Sequence, residues 1–183
     1  MRIHHSDKLV IRMPPDQVGL QQLVRERVTA LHPSTFVFKR AAVVGMGLVD
    51  EKIPGSYGED YDWLLRAARR MPIVAVQRPL VDVFWHQQSF FAERWQTIAD
   101  ALNYMLDKHP ELRADPHGMA RSEGQIAFAE AALSRRVAAY RASSRALRGN
   151  PMERRAYLAL AVASGAVSAT SIVRLTSSKG RGI

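Results

Sequence analysis

Cysteine is absent from all 183 residues. That excludes disulfides, thiolate zinc sites and cysteine nucleophiles, and it fits a reducing compartment. Long apolar runs are absent too, since none approaches the ~20 residues that cross a bilayer. The best candidate, 158–167 (LALAVASGAV), is short and rich in small residues. The N-terminal stretch (MRIHHSDKLVIRMPP) lacks the apolar segment of a secretory signal. The expected location is cytoplasmic, free or peripheral at the inner face of a membrane. What the chain does have is 47% hydrophobic residues, an ordinary share for a packed core and too high for a disordered chain. Its length suits one domain, or one domain with an appendage.

The formal net charge is +9. It is unevenly spread: residues 1–110 carry 14 Lys+Arg against 12 Asp+Glu, and residues 111–183 carry 12 against 5. The basic excess therefore belongs to the C-terminal part, where a contact with anionic lipid headgroups is expected. A nucleic-acid partner is not expected. No recognised nucleic-acid motif is present, and several of these arginines fall on ordinary alanine-rich helices.

Periodicity gives a mixed first part and a helical second part. Residues 8–13 (KLVIRM) read as a strand stopped by Pro14 and Pro15. Asp16 is placed to cap a helix from Gln17, with Leu20, Leu23, Val24 and Val28 on its buried face and His32-Pro33 at its end. Residues 35–39 (TFVFK) read as a buried strand, 40–46 as a short helix and 48–57 as a loop. A polarised helix follows over 59–70, then strands at 73–76 and 80–85 and a helix at 91–108.

Beyond residue 110 almost no strand signal remains. Helices are expected at about 117–134, 136–148, 151–164 and 168–177, punctuated by Gly149-Asn150-Pro151 and Gly165. The domain division is placed near residues 110–117. Residues 127–151 have small residues where helices would cross, then Ala146-Leu147 and Asn150-Pro151. This stretch resembles one tetratricopeptide unit, although a plain helical hairpin is the preferred reading, because such arrays need about three copies to stand alone.

Three features of the first part go beyond packing. Glu59, Asp60 and Asp62 put three carboxylates within four positions at a loop–helix junction, more than a cap needs. A carboxylate there can take a proton from a substrate hydroxyl. His86 ends an apolar strand and can offer a nitrogen to a divalent metal. His32-Pro33-Ser34-Thr35 precedes the 35–39 segment and reads locally as a turn.

The order of these pieces carries a resemblance. His32-Pro33-Ser34-Thr35-Phe36, Phe38-Lys39-Arg40, Gly47-Leu48-Val49-Asp50-Glu51, Gly58-Glu59-Asp60-Tyr61-Asp62-Trp63-Leu64-Leu65-Arg66, Pro79-Leu80-Val81 and Trp85-His86 together resemble the C-terminal half of family 2 glycosyltransferases. The match covers about residues 17–110. It implies an α/β fold, a partial GT-A-like (Rossmann-like) C-terminal half with short strands over 1–110, followed by an all-α tail over 111–183. It also implies transfer of a sugar from a nucleotide-sugar donor to a glycan or lipid-linked acceptor. Asp60 would be the general base of an inverting displacement, with Glu59 helping to place the acceptor. Asp62 and Trp63 would line the acceptor side or support the helix, with Tyr57 and Gly58 also on that side. The loop over 47–57 would border the sugar-binding cleft, and His86 would complete a metal site.

The family's N-terminal half, with its nucleotide-binding strands and Asp-x-Asp, has no counterpart here. No Asp-x-Asp precedes His32, and Asp60-Tyr61-Asp62 belongs to the acceptor-side motif despite its spelling. The expectation is therefore a C-terminal piece: a truncated product, a misplaced start or half of a split enzyme. A divalent metal, Mn or Mg, would join only with the Asp-x-Asp half. The strand near 8–13 would expose an edge. The alternative is a non-catalytic remnant or interaction module that works through its helical tail.

Overall fold

The structure, a computed structural model, describes residues 1–5, 8–84 and 94–177. It is mixed α/β and mostly helical, with 59% helix against 9% strand, and its strands form two small sheets. Two compact units divide the chain: Met1–Lys52 with Gly58–His86, and Ile53–Tyr57 with Gln87–Ile183.

In the first unit, β1 (Arg2–His5) pairs antiparallel with β2 (Lys8–Ile11) and parallel with β5 (Asp82–Phe84), in the order β2-β1-β5. Ile3 is buried, whereas every residue of β2 is exposed, so β2 is an edge with one partner. The register sets Arg2 opposite Asp82. The Arg2 guanidinium donates to both Asp82 oxygens, at 2.7 and 2.5 Å, and His4 Nε2 lies 2.7 Å from Oδ1. These contacts hold the Asp82 carboxyl well below the usual carboxylate range, with the hydrogen bond from Arg2 as the largest cause. His4 also stacks on Phe84, with ring centroids 4.7 Å apart.

Two expectations fail here for identifiable reasons. Asp16 does not cap a helix at Gln17. Gln17–Val18 form β3, antiparallel to β4 (Ile73–Val74), and the Asp16 carbonyl accepts from the Ala75 amide at 2.8 Å. Burial of the β-branched Val18 in that pair wins over the cap, and α1 is only Leu20–Arg25, with Gly19 at its N-cap. Residues 35–39 are not a buried strand. His32 caps a 3₁₀ turn over Pro33–Thr35, its Nδ1 accepting from the Ser34 amide, and Val37 is 94% exposed. The aromatic signal there comes from Phe36 and Phe38, which meet edge to face at 5.9 Å. The expected short helix does form, as α2 (Arg40–Met46), and the polarised helix forms as α3 (Glu59–Ala68).

The second unit holds α4 (Trp95–Lys108), α5 (Pro110–Ala114), α6 (Pro116–Ala132), α7 (Arg136–Gly149), α8 (Arg154–Ala163) and α9 (Ala169–Ser177). It takes in α4, so it begins well before the composition shift near residue 110. Helices α6, α7 and α8 each pack on the other two, and α4 packs on α6. Their contact faces are built of Ala120, Ala127, Ala139, Ala142, Ala156 and Ala159, all essentially buried. Small residues let the helix backbones come close: a Cβ on Gly124 would sit 2.8 Å from Glu153 Cγ, and one on Gly149 would sit 2.6 Å from the Pro116 carbonyl.

Asp115 caps α6 by accepting from the His117 and Gly118 amides, each at 3.0 Å, with Pro116 preset at the first helical position. Glu123 is buried on α6. Arg145 of α7 grips it with two bonds of 2.7 and 2.8 Å, which raise the guanidinium's pKa further.

Two outcomes follow. Replacing Arg145 with Met leaves the Glu123 carboxylate buried without its partner. Because Arg145 itself is partly exposed, urea unfolding is expected to show a loss of about 2 kcal/mol, below the full cost of breaking a buried pair. For Asp82, a carboxyl depressed in the folded state stabilises above its ordinary pKa, and that contribution disappears as pH falls through the folded value. The stability gap between wild type and Asp82→Asn is therefore expected near neutrality and should shrink below about pH 4. A gap that widened in acid would contradict the pairing.

Candidate functional site

The acidic motif opens α3. Gly58 precedes it in the left-handed region, at φ +88° and ψ 20°. A Cβ there would meet nothing within 4 Å, so backbone conformation rather than space calls for glycine. Glu59, Asp60 and Asp62 all fall in the first turn, where carboxylates complement the helix dipole. They do not form a cluster, because residues one or two apart on a helix face different ways.

Asp62 points inward and is fully buried. Its Oδ2 accepts from Arg66 Nε at 2.9 Å and lies 2.7 Å from Arg66 Nη2. The same guanidinium donates to the carbonyls of Met46, Gly47 and Leu48 at 2.7, 2.8 and 2.9 Å. Arg70 adds a bond to the Gly45 carbonyl. Trp63 Nε1 donates to the Gly47 carbonyl at 3.3 Å, and its ring meets Phe38 edge to face at 5.1 Å. Gly47 holds φ +89° and ψ 152°, a conformation restricted to glycine. Asp62 is thus turned into the unit, where through Arg66 it braces the start of the 47–57 loop.

Asp60 points elsewhere. Its side chain is 27% exposed, and Arg27 Nη2 lies 3.0 Å from Oδ1. The Tyr61 amide also donates to Oδ1, at 2.8 Å, so Oδ2 has no partner among the described residues. Arg27 lies over the Tyr61 ring at 5.6 Å, and the buried Tyr61 hydroxyl donates to the Leu23 carbonyl at 2.7 Å. Arg27 and Tyr61 thus fix the Asp60 rotamer from the α1 side. Glu59 is half-buried and has no side-chain partner among the described residues.

Tyr57 belongs to the second unit, where it packs against Ile98, Ala99 and Ala129. His86 lies outside the described residues.

Asp60 is engaged by Arg27 and Asp62 by Arg66, and among the described residues no three His, Asp or Glu side chains gather to hold an ion. A cleft of about 210 Å³ in the first unit is lined mainly by apolar residues, among them Leu31, Phe36, Phe38, Val74 and Val81, with Arg78 its one charged side chain. None of the three motif carboxylates reaches it.

Sequence reasoning found the carboxylates but not their partners. The Asp62–Arg66 spacing of four residues was a readable signal, because such residues are neighbours on a helix. Arg27 gave none, because it lies 33 residues from Asp60.

The two aspartates should separate in unfolding experiments. Asp62→Ala removes the buried partner of Arg66, the guanidinium that also holds the Met46, Gly47 and Leu48 carbonyls, so a loss of about 3 kcal/mol is expected. Asp60→Asn disturbs a partly exposed pair and is expected to cost under about 1 kcal/mol. Equal losses would contradict the division. No protein family, curated protein or solved structure matches this chain at a significant level.

Proposed function

We propose that the first unit is the acceptor side of a family 2-type glycosyltransferase, with Asp60 as general base. The observation that carries this reading is the assembly around α3. Three separate stretches of the resemblance meet there: Phe38 against Trp63, Gly47-Leu48 on Trp63 and Arg66, and the acidic turn itself. Of the two motif aspartates, Asp60 is the one that keeps partial exposure and an unpartnered oxygen while Arg27 positions it, whereas Asp62 is buried against Arg66.

In the proposed step, Asp60 Oδ2 takes the proton of an acceptor hydroxyl as that oxygen attacks the anomeric carbon of the donor sugar. The new carbon–oxygen bond forms as the bond to the diphosphate breaks, and the nucleoside diphosphate leaves with the electron pair. Arg27 holds the carboxylate in place through Oδ1, which leaves Oδ2 for the proton. Glu59, beside it, would orient the acceptor. Binding of the donor and neutralisation of the leaving diphosphate are not assigned to this chain's residues.

Turnover with the donor-binding half present, on the same chain or added as a second one, tests the reading. Asp60→Asn is expected to lower kcat by about 10²–10⁴-fold, the range of a lost general base, while the KM for the nucleotide sugar stays unchanged. Wild-type turnover in Asp60→Asn would overturn the base assignment.

A further inference from the structure

We propose that the α7–α8 face of the second unit is a docking surface for an acidic amphipathic helix. Residues 131–183 hold ten Lys+Arg and a single acid, Glu153. That acid is buried and turned to its own helix, where it caps α8 and bonds Arg155 at 3.2 Å. The exposed faces of α7 and α8 therefore carry no negative charge.

The arginines of this unit fall into two groups. Arg113, Arg135, Arg145 and Arg155 are each paired with a carboxylate. Arg136, Arg141, Arg148 and Arg154 are exposed and have no hydrogen-bond or ion-pair partner among the described residues. Two of these four lie on a stripe along α7 with Val137, Tyr140 and Ser144, at the three- and four-residue spacing that makes one helix face. Val137 is 64% and Tyr140 44% exposed. Beside the stripe, an open groove of about 470 Å³ is lined by Tyr140, Ser144, Leu147, Arg148 and Leu160.

Apolar side chains in a groove that the unpaired Arg148 lines, with the unpaired Arg141 on the same α7 stripe, call for a partner with both apolar anchors and carboxylates. Tyrosine and arginine are also the residue types that most often anchor interfaces. Leu147 and Leu160 are only half-exposed, so a flat bilayer meets the arginines before it meets them. A helix about 10 Å across can lie along the groove and reach both. Charge sets the sign of the partner, and the groove sets its shape.

The test uses the full chain and a fluorescein-labelled synthetic helix of Glu, Ala and Leu, with leucines on one face, beside a shuffled peptide of the same composition. Saturable binding with Kd on the order of 10 μM is expected at low salt, with much weaker binding of the shuffled peptide. The double variant Arg141→Glu/Arg148→Glu and, separately, Tyr140→Ser should each weaken binding at least tenfold. Both change exposed side chains, and unchanged circular dichroism melts would show that the fold survives. Equal binding of the two peptides would reduce the face to bulk charge and overturn the groove. Unchanged affinity in the variants would overturn the location. Binding to vesicles of phosphatidylcholine and phosphatidylserine, lost in the same variants while the peptide fails to bind, would make it a membrane surface instead.

Discussion

The buried ion pair between Asp62 and Arg66 organises the first unit. A carboxylate withdrawn from water costs several kcal/mol unless its partner and hydrogen bonds are in place. Here the partner has further duties. A guanidinium has five N–H donors in a rigid fork, and Arg66 turns those not used by Asp62 toward the carbonyls of Met46, Gly47 and Leu48. The Met46 carbonyl belongs to the last turn of α2, which has no intrahelical partner for it. One arginine thus neutralises a buried charge and closes a helix end. Gly47 permits the turn, because its backbone conformation excludes a side chain, and a Cβ there would lie 3.2 Å from Arg66 Nη1.

This arrangement divides the acidic turn. Three carboxylates close in sequence look like one cluster, but successive helix positions point about 100° apart. Asp62 is drawn into the unit by Arg66, and Asp60 is turned to the α1 side by Arg27 and Tyr61. The buried brace, Asp62, and the partly exposed Asp60 are therefore two positions apart in sequence and distinct in environment. The second unit works on another principle. Alanines and two glycines bring α6, α7 and α8 together, buried carboxylates are paired, as Glu123 is with Arg145, or cap a helix, as Asp115 does, and Arg136, Arg141, Arg148 and Arg154 stay outside.

Legibility followed the length and regularity of the elements. Apart from α5, which was not expected, the helices of the second unit lay close to their expected bounds, because alanine-rich faces repeat over several turns and Asp115-Pro116 and Asn150-Pro151 punctuate them. The first unit was harder. β1 (RIHH) has no alternating pattern, and it is placed by pairing with β2 and with β5, where Arg2 and His4 meet Asp82 some eighty residues away. Asp16 had the chemistry of a cap, but its carbonyl is taken by the Ala75 amide, just past β4. Residues 35–39 had strand-like composition, yet their aromatics serve a cluster with Trp63. At the candidate site, the place of Glu59 and Asp60 in the first turn of a helix was legible. The direction each faces was not, because it depends on Arg27 and on the loop that Arg66 holds.

The most direct measurement of this account is NMR of two side-chain protons, Trp63 Nε1–H and Arg66 Nε–H, in the wild type, Asp60→Asn and Asp62→Asn. The account predicts that Asp62→Asn shifts both resonances, because the brace on Gly47 is released, and that Asp60→Asn leaves both in place. Resonances that stay put in Asp62→Asn, or move equally in Asp60→Asn, would contradict it.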